Sequence, residues 1–175
     1  NDGQPGDTEV LEKYLNKFTK PATLYYEGCS MTAIWGVRSL GIDPATGQEM
    51  FLTKDGRSTY TWSSADQVVI GDTSPKMSGT LNLNAGYKGF TFSASCSYKF
   101  GGDLYNSELV ARMENINGQS NLDRRLFNAW QKVGDVAPYK VTVISSGSTN
   151  YTKPTSRFVQ KNNELYISSV NVGYD

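Results

Sequence analysis

The sequence predicts a mainly β protein, made of antiparallel strands and hairpins from a transmembrane β-barrel wall, with long outer loops that carry one or two short helices. Two observations predict this class. Apolar and polar residues alternate without a break through two consecutive segments, residues 80–87 and 90–100, and the polar positions carry almost no charge. A very short turn joins the two segments, whereas a long excursion follows them.

The composition makes several classes of protein function improbable. The chain has 175 residues, the length of one domain, with 17 Lys+Arg and 17 Asp+Glu spread along it. No basic face is therefore expected, which argues against a nucleic-acid partner. The absence of histidine disfavours Ser-His-Asp nucleophiles and the usual zinc sites. We expect no enzyme, no catalytic or metal-binding residues and no cofactor.

In residues 1–24 the sequence predicts a disordered lead-in of six residues, followed by a short helix that ends at Pro21. Its apolar residues follow helical spacing and are most simply a docking stripe: Leu11, Tyr14, Leu15 and Phe18. No stretch is long and apolar enough for a membrane-spanning helix, and the N-terminus does not resemble a signal peptide. The rest, residues 25–175, is assigned to barrel-wall strands and extracellular loops.

Between Ala33 and Val69 the sequence predicts short strands separated by two turns. The turn at Asp43–Gly47 has an Asp to cap it, a Pro to fix φ and a Gly at its exit, and a second turn falls at Lys54–Arg57. The segment contains many aromatic residues. It fits either a sugar- or partner-binding loop or a β-meander whose aromatics pack on each other.

The alternating segments predict one hairpin with a two-residue turn at Lys88-Gly89. With that turn, Tyr87 faces Phe90 and Leu83 faces Ala94, so every apolar side chain lies on one face. Aromatic residues occur at both ends of this face, and the other face carries Ser, Thr and Asn. A soluble sandwich would show the same alternation, but small neutral residues favour a barrel wall facing a polar lumen.

The excursion from Gly101 to Asn163 predicts two helices, one within Leu104–Ile116 and one, with more apolar side chains on one face, at Leu122–Lys132. The alternation then resumes in a last strand, whose apolar face is expected to contain positions of even number: Tyr166, Ser168, Val170, Val172 and Tyr174.

Seven blocks in order resemble a known family. They are WGVRSLGIDPATG at 35–47, VVIGDTSPK at 68–76, Gly79, YKGF at 87–90, FGGDLYN at 100–106, NLDRR at 121–125 and KPTSRFVQ at 153–160. In sequence and spacing they resemble the C-terminal region of SusC/RagA-type TonB-linked outer-membrane proteins, over roughly Tyr25 to Asp175.

The resemblance implies a 22-stranded barrel with an internal plug, located in the outer membrane. It also implies a SusD-like surface lipoprotein as a partner and uptake of glycan or peptide driven by TonB. The chain has neither a plug nor enough strands to close a wide barrel, so the resemblance implies a fragment of a nutrient importer. The alternative is a self-contained soluble β-rich module that binds carbohydrate or protein.

Four aromatic residues are the candidate contacts to substrate or lid: Trp35, Trp62, Tyr105 and Trp130. A glycoside hydrolase would need paired carboxylates, but the acidic residues fall in turns and helix starts, where capping explains them. Cys29 and Cys96 fit two small hydrophobic residues better than a bridge, and their pairing stays open. The isolated fragment is expected to self-associate through its strand edges, or to be soluble.

Overall fold

The computed structural model describes residues 20–116, 123–141 and 152–175. The helix expected within residues 1–24 lies outside them. The described residues contain one α-helix, α1 (Ser107–Met113), and eight strands, which are β1 (Ala33–Gly36), β2 (Arg38–Ile42), β3 (Glu49–Leu52), β4 (Ser58–Thr59), β5 (Val68–Asp72), β6 (Met77–Tyr87), β7 (Phe90–Tyr105) and β8 (Val159–Tyr174).

The long sheet consists of β6, β7 and β8 in that order, all antiparallel. Strand β6 pairs with β7 from Met77–Phe100 down to Tyr87–Phe90 without a shift of register, and Leu83 faces Ala94. The turn has positive φ at both Lys88 and Gly89, as the right-handed twist of a two-residue hairpin requires. The predicted hairpin, its turn and its apolar face are confirmed.

Strand β8 departs from the expected alternation at one residue. The pairing passes from Ser95–Ser169 to Cys96–Ile167, so Ser168 has no partner opposite it, and its hydroxyl donates to the Ser95 carbonyl oxygen. Such a bulge exchanges the two faces of the strand beyond it. The prediction that Tyr166 and Ser168 share the apolar face was wrong, and Ile167 takes that place.

A second bulge lies between β7 and β8, near the end of the long sheet that is farther from the Lys88-Gly89 turn. Between the pairs Lys99–Glu164 and Gly102–Asn162, two residues of β7 oppose one of β8, and Gly101 adopts φ +82°. The Asn163 side chain accepts the Gly101 backbone N–H. Pairing then continues to Tyr105–Val159. Strands β7 and β8 therefore extend into the segment from Gly101 to Asn163, which the alternation had assigned to the excursion.

The remaining described residues form an upper region, defined as residues 20–76, 106–116, 123–141 and 152–158. It contains two small antiparallel sheets, β1 with β5 and the meander β2-β3-β4. Asp43–Gly47 and Lys54–Arg57 provide the two meander connections, as predicted. In the first, Asp43 accepts the backbone N–H of Ala45 and the hydroxyls of Thr46 and Tyr60.

The segment 152–158 runs through the middle of the upper region. Val37 bonds to it on both sides, donating to Pro154 O and accepting from Ser156 N, and Thr155 is fully buried beside it. Phe158 packs into the core formed with α1 by Leu109, Val110 and Met113. This segment connects the small sheets, α1 and the long sheet.

The helices differ in part from the expectation. Within Leu104–Ile116, α1 is capped by Asn106, whose side chain accepts the Leu109 N–H. At Leu122–Lys132 the described residues instead contain a five-residue 3-10 helix, Arg124–Asn128. The prediction of a longer helix there was wrong, because Trp130 leaves the helical path to bond with Tyr139 and Pro44.

Candidate functional site

The apolar face of the long sheet is exposed. Leu81, Leu83, Phe90 and Phe92 keep between 37% and 60% of their surface accessible, so the described loops do not cover them. On β8 the same face continues with exposed side chains, Leu165, Ile167, Val170, Val172 and Tyr174. An uninterrupted apolar surface of this kind marks an interaction site or a membrane face.

Aromatic side chains lie at both ends of this face. At the turn, the rings of Phe90 and Tyr174 are 4.6 Å apart, and at the other end those of Tyr98 and Phe100 are 5.7 Å apart. From Phe90 to Phe100 the strand advances about 34 Å, or about 26 Å normal to a membrane at a tilt of about 40°. That height matches the apolar band of outer-membrane barrels, about 25 Å.

The opposite face of the long sheet is polar and neutral over most of its length. Asn84, Ser93 and Asn171 lie side by side across the three strands, and Asn171 Nδ2 donates to Ser93 Oγ. Next to them Thr91 lies between two glycines, which leaves a shallow depression of about 560 Å³. A polar surface without charge is suited to a hydrated lumen.

A buried ion cluster lies in the upper region. Arg157 donates to both carboxylate oxygens of Glu49, at 2.8 and 2.7 Å, and its Nη2 lies 2.8 Å from Glu114. The side chains are 12%, 5% and 0% exposed for Arg157, Glu49 and Glu114. Burial lowers the pKa of Arg157, but the hydrogen bonds that it donates to Glu49 and the negative charge of Glu114 outweigh this effect. The pKa is therefore raised, and the guanidinium stays charged.

Asp103 joins the upper region to the long sheet. Its carboxylate accepts from Lys161 Nζ at 2.6 Å, across the β7–β8 pair, and from the backbone N–H of Asp72 in β5 at 3.2 Å. The Lys161 bond lowers the pKa of Asp103 and burial raises it, with a net lowering to which the Asp72 N–H contributes. Asp103 is therefore ionised in the folded protein at neutral pH.

The four predicted contact residues do not form one cluster around a shared cavity in the described residues. Trp35 is buried against Tyr26, with ring centres 5.0 Å apart. Trp62 and Trp130 are half-buried and donate to backbone carbonyls, Trp62 to Pro154 and Trp130 to Pro44. Tyr105 packs against the α1 core, and burial raises the pKa of its phenol.

The acidic residues in turns mainly act as caps and structural acceptors. Asp123, like Asp43, accepts a backbone N–H two residues on, and Asp103 and Glu49 are used internally. The described residues include no cluster of three or more potential metal ligands and no helix of the length and apolarity that crosses a membrane. Cys29 and Cys96 are free thiols.

The seven blocks carry no signal that distinguishes the ion cluster. Arg157 lies in the KPTSRFVQ block, but Glu49 and Glu114 lie in separate segments that only the fold brings together. Sequence spacing gives no hint of a contact between positions 108 residues apart.

Comparison with known proteins gives one curated relative and several solved structures. The TonB-dependent receptor P3 of Formosa agariphila is 26% identical over 140 residues, which are 80% of this chain and 13% of that protein. The structure of the RagAB peptide transporter matches with a TM-score of 0.62 and 19% identity, over 81% of this chain and 16% of that one. No family model matches the chain.

A further RagAB structure, that of the peptide importer in the open-open state, matches with a TM-score of 0.60 and 21% identity. It covers 81% of this chain and 16% of the solved chain, so the chain spans only a small part of its relatives. At this identity the solved structures establish the fold. Together with the curated relative, they confirm the resemblance that the seven blocks indicated.

Proposed function

We propose that this chain, which resembles the SusC/RagA family of TonB-dependent receptors in sequence and in fold, forms part of the barrel wall and outer loops of an outer-membrane nutrient importer. The observation that carries the proposal is the long sheet, which has an exposed apolar face bordered by aromatic rows and a neutral polar face behind it. A strand in a barrel wall needs this two-faced design, with lipid outside and a hydrated lumen inside.

In this proposal the parts of β6, β7 and β8 that lie between the two aromatic rows cross the outer membrane. The Lys88-Gly89 turn lies on the periplasmic side, and the upper region faces outward. Short periplasmic turns and long outer loops are typical of outer-membrane barrels. Strands β6 and β8 are the edges of the sheet in the described residues and would pair with further strands of the complete receptor.

The proposed partners are a SusD-like lipoprotein above the loops and TonB, with glycan or peptide as cargo. The similarity to a peptide transporter supports peptide as one of these two classes. Trp35, Trp62, Tyr105 and Trp130 remain proposed contacts. Because Trp35 is buried and Tyr105 packs in the core, the half-exposed Trp62 and Trp130 have the better access to a partner.

The test uses the complete receptor in its own cells. Membrane fractionation should place it in the outer membrane, and salt washes should leave it there until detergent is added. Deleting the gene should abolish growth on one defined glycan or peptide source, and complementation should restore it. A receptor released by salt alone, or unaltered growth on all such sources, would contradict the proposal.

The alternative function is a soluble β-rich binding module. It predicts that the isolated chain is monodisperse without detergent and unfolds in one cooperative transition. We expect instead that the isolated chain associates through the edges of β6 and β8, because its apolar face would otherwise meet water. Sedimentation without detergent separates the two, since a strict monomer favours the binding module.

A further inference from the structure

We propose that the Arg157 cluster is a latch that makes the segments it joins in the upper region one cooperative unit. Four separate chain segments meet at this guanidinium. Arg157 belongs to the segment 152–158, Glu49 begins β3, Glu114 follows α1, and Pro138 O accepts from Arg157 Nη1 at 2.8 Å. The inference rests on contacts within the chain and is independent of the proposed transport function.

The cluster places two carboxylates around one cation, away from water. The Glu49 carboxylate accepts two hydrogen bonds in the described residues, and both come from Arg157. Glu114 also accepts from the Lys140 backbone N–H at 3.2 Å and from the Thr152 hydroxyl at 2.8 Å. Removing the guanidinium would leave two buried negative charges close together, the most costly way to break such a cluster.

The fork shape of arginine makes this sharing possible. Its Nε and Nη2 donate to the two carboxylate oxygens of Glu49, and Nη2 also donates to Glu114. The remaining nitrogen, Nη1, donates to the Pro138 carbonyl oxygen. The guanidinium carbon lies 4.7 Å from the centre of the Phe158 ring, which packs in the α1 core. Lysine has one nitrogen and cannot make the same set of bonds.

The shared cation has a consequence for movement of the loops. A loop that opens by itself must withdraw its carboxylate or carbonyl from Arg157 and leave charge unpaired in the interior. Opening of the β2–β3 hairpin, the end of α1 and residues 138–140 should therefore be coupled. A partner or ligand that displaces one of these segments would displace the others with it.

Hydrogen exchange with mass spectrometry on the complete receptor in lipid nanodiscs tests the latch. In Glu49→Gln, exchange should rise roughly tenfold near Glu49 and also in residues 113–116 and 138–141, because the charge-assisted pair is lost. In Arg157→Met the rise should be roughly a hundredfold in all of these segments. Strand β7 between Phe90 and Phe100 should keep its protection in both variants.

Arg125→Met is the matched control. Arg125 is ion-paired only to Asp123 in the described residues, two positions away in the same segment, so its loss should change exchange locally. Arg157→Lys serves if Arg157→Met does not reach the membrane, and should give an intermediate rise in the same segments. Exchange that rises only near the substituted residue in Glu49→Gln and Arg157→Lys would overturn the latch.

Discussion

The long sheet and the upper region differ in where they place their apolar side chains. In the upper region, apolar side chains such as Phe158 and Met113 are buried, and charged groups such as Arg157 are paired inside. In the long sheet the largest apolar side chains lie on an exposed face, and the polar face carries small neutral groups. The upper region therefore buries a core of its own, whereas the apolar face of the long sheet is left exposed by the described residues.

The difference shows that a single chain can follow two rules for placing its residues. Contacts inside the protein stabilise the upper region, where the segment 152–158 binds elements from distant parts of the sequence. The long sheet depends on backbone hydrogen bonds and on what surrounds it. The bulge at Gly101 and the Asp103 contacts mark the boundary between them.

The largest expected effect comes from a charge on the apolar face. In the complete receptor, Leu83→Lys should destabilise the fold by about 2–4 kcal/mol. Leu83 lies midway between the aromatic rows, a position that would be near the centre of the bilayer. Asn82→Lys, one residue away on the polar face, is the control and should cost less than about 1 kcal/mol. Denaturant unfolding in lipid vesicles measures both, and equal costs would remove the distinction between the faces.

A tryptophan tests the upper region. Trp130→Ala should lower local stability by about 2 kcal/mol, because it removes the bond to Pro44 and the ring packed over Gly47. Phe127→Ala is the control: this side chain is 77% exposed, so the change should be close to zero. Hydrogen exchange around Asp43–Gly47 measures the local effect. A negligible change for Trp130→Ala would mean that its ring serves a partner instead.

The smallest effect concerns the boundary between the regions. Because the pKa of Asp103 is lower in the folded protein than in the unfolded chain, its contribution is complete above about pH 4. It is lost as the pH falls below that value and the carboxylate gains a proton. The loss should stay below about 1 kcal/mol, since Lys161 is largely exposed.

Exchange protection of β5 measured from pH 6 down to pH 2.5, corrected for intrinsic rates, should decline below pH 4 in the native receptor. Asp103→Asn should remove this part of the pH dependence. The same decline in Asp103→Asn would assign it to other carboxylates.

Period-two alternation predicted the turn and the register of the long hairpin to the residue, because each strand has one apolar and one polar face and a turn of two residues leaves no freedom of register. The strands themselves extend beyond the predicted bounds. The bulge at Ser168 was not predicted from sequence. A bulge depends on how the backbones of two strands pair, and residues of nearly the same types stand on both sides of Ser168 in β8. Turn chemistry likewise predicted the meander connections, which depend on neighbouring residues.

The upper region was less predictable because distant contacts decide its structure. The apolar spacing of Leu126 and Trp130 suggested a helix, but bonds from Trp130 to Pro44 and Tyr139 favour another path. The Arg157 cluster depends on four separate segments of the chain, so no local pattern predicts it. Of the candidate site, the apolar face of the long sheet was predicted from sequence, and the contacts between distant segments were not.

Spin labels can show directly whether the apolar face of the long sheet meets lipid, as we propose. In the complete receptor in bilayers, single cysteines are placed along β6 from Leu81 to Ala85 and labelled with nitroxide, after serine replaces the native cysteines. Accessibility to oxygen should then be high at Leu81, Leu83 and Ala85, and accessibility to a water-soluble nickel reagent high at Asn82 and Asn84. Accessibility without this alternation, or nickel access at Leu83, would mean that this face does not lie against lipid.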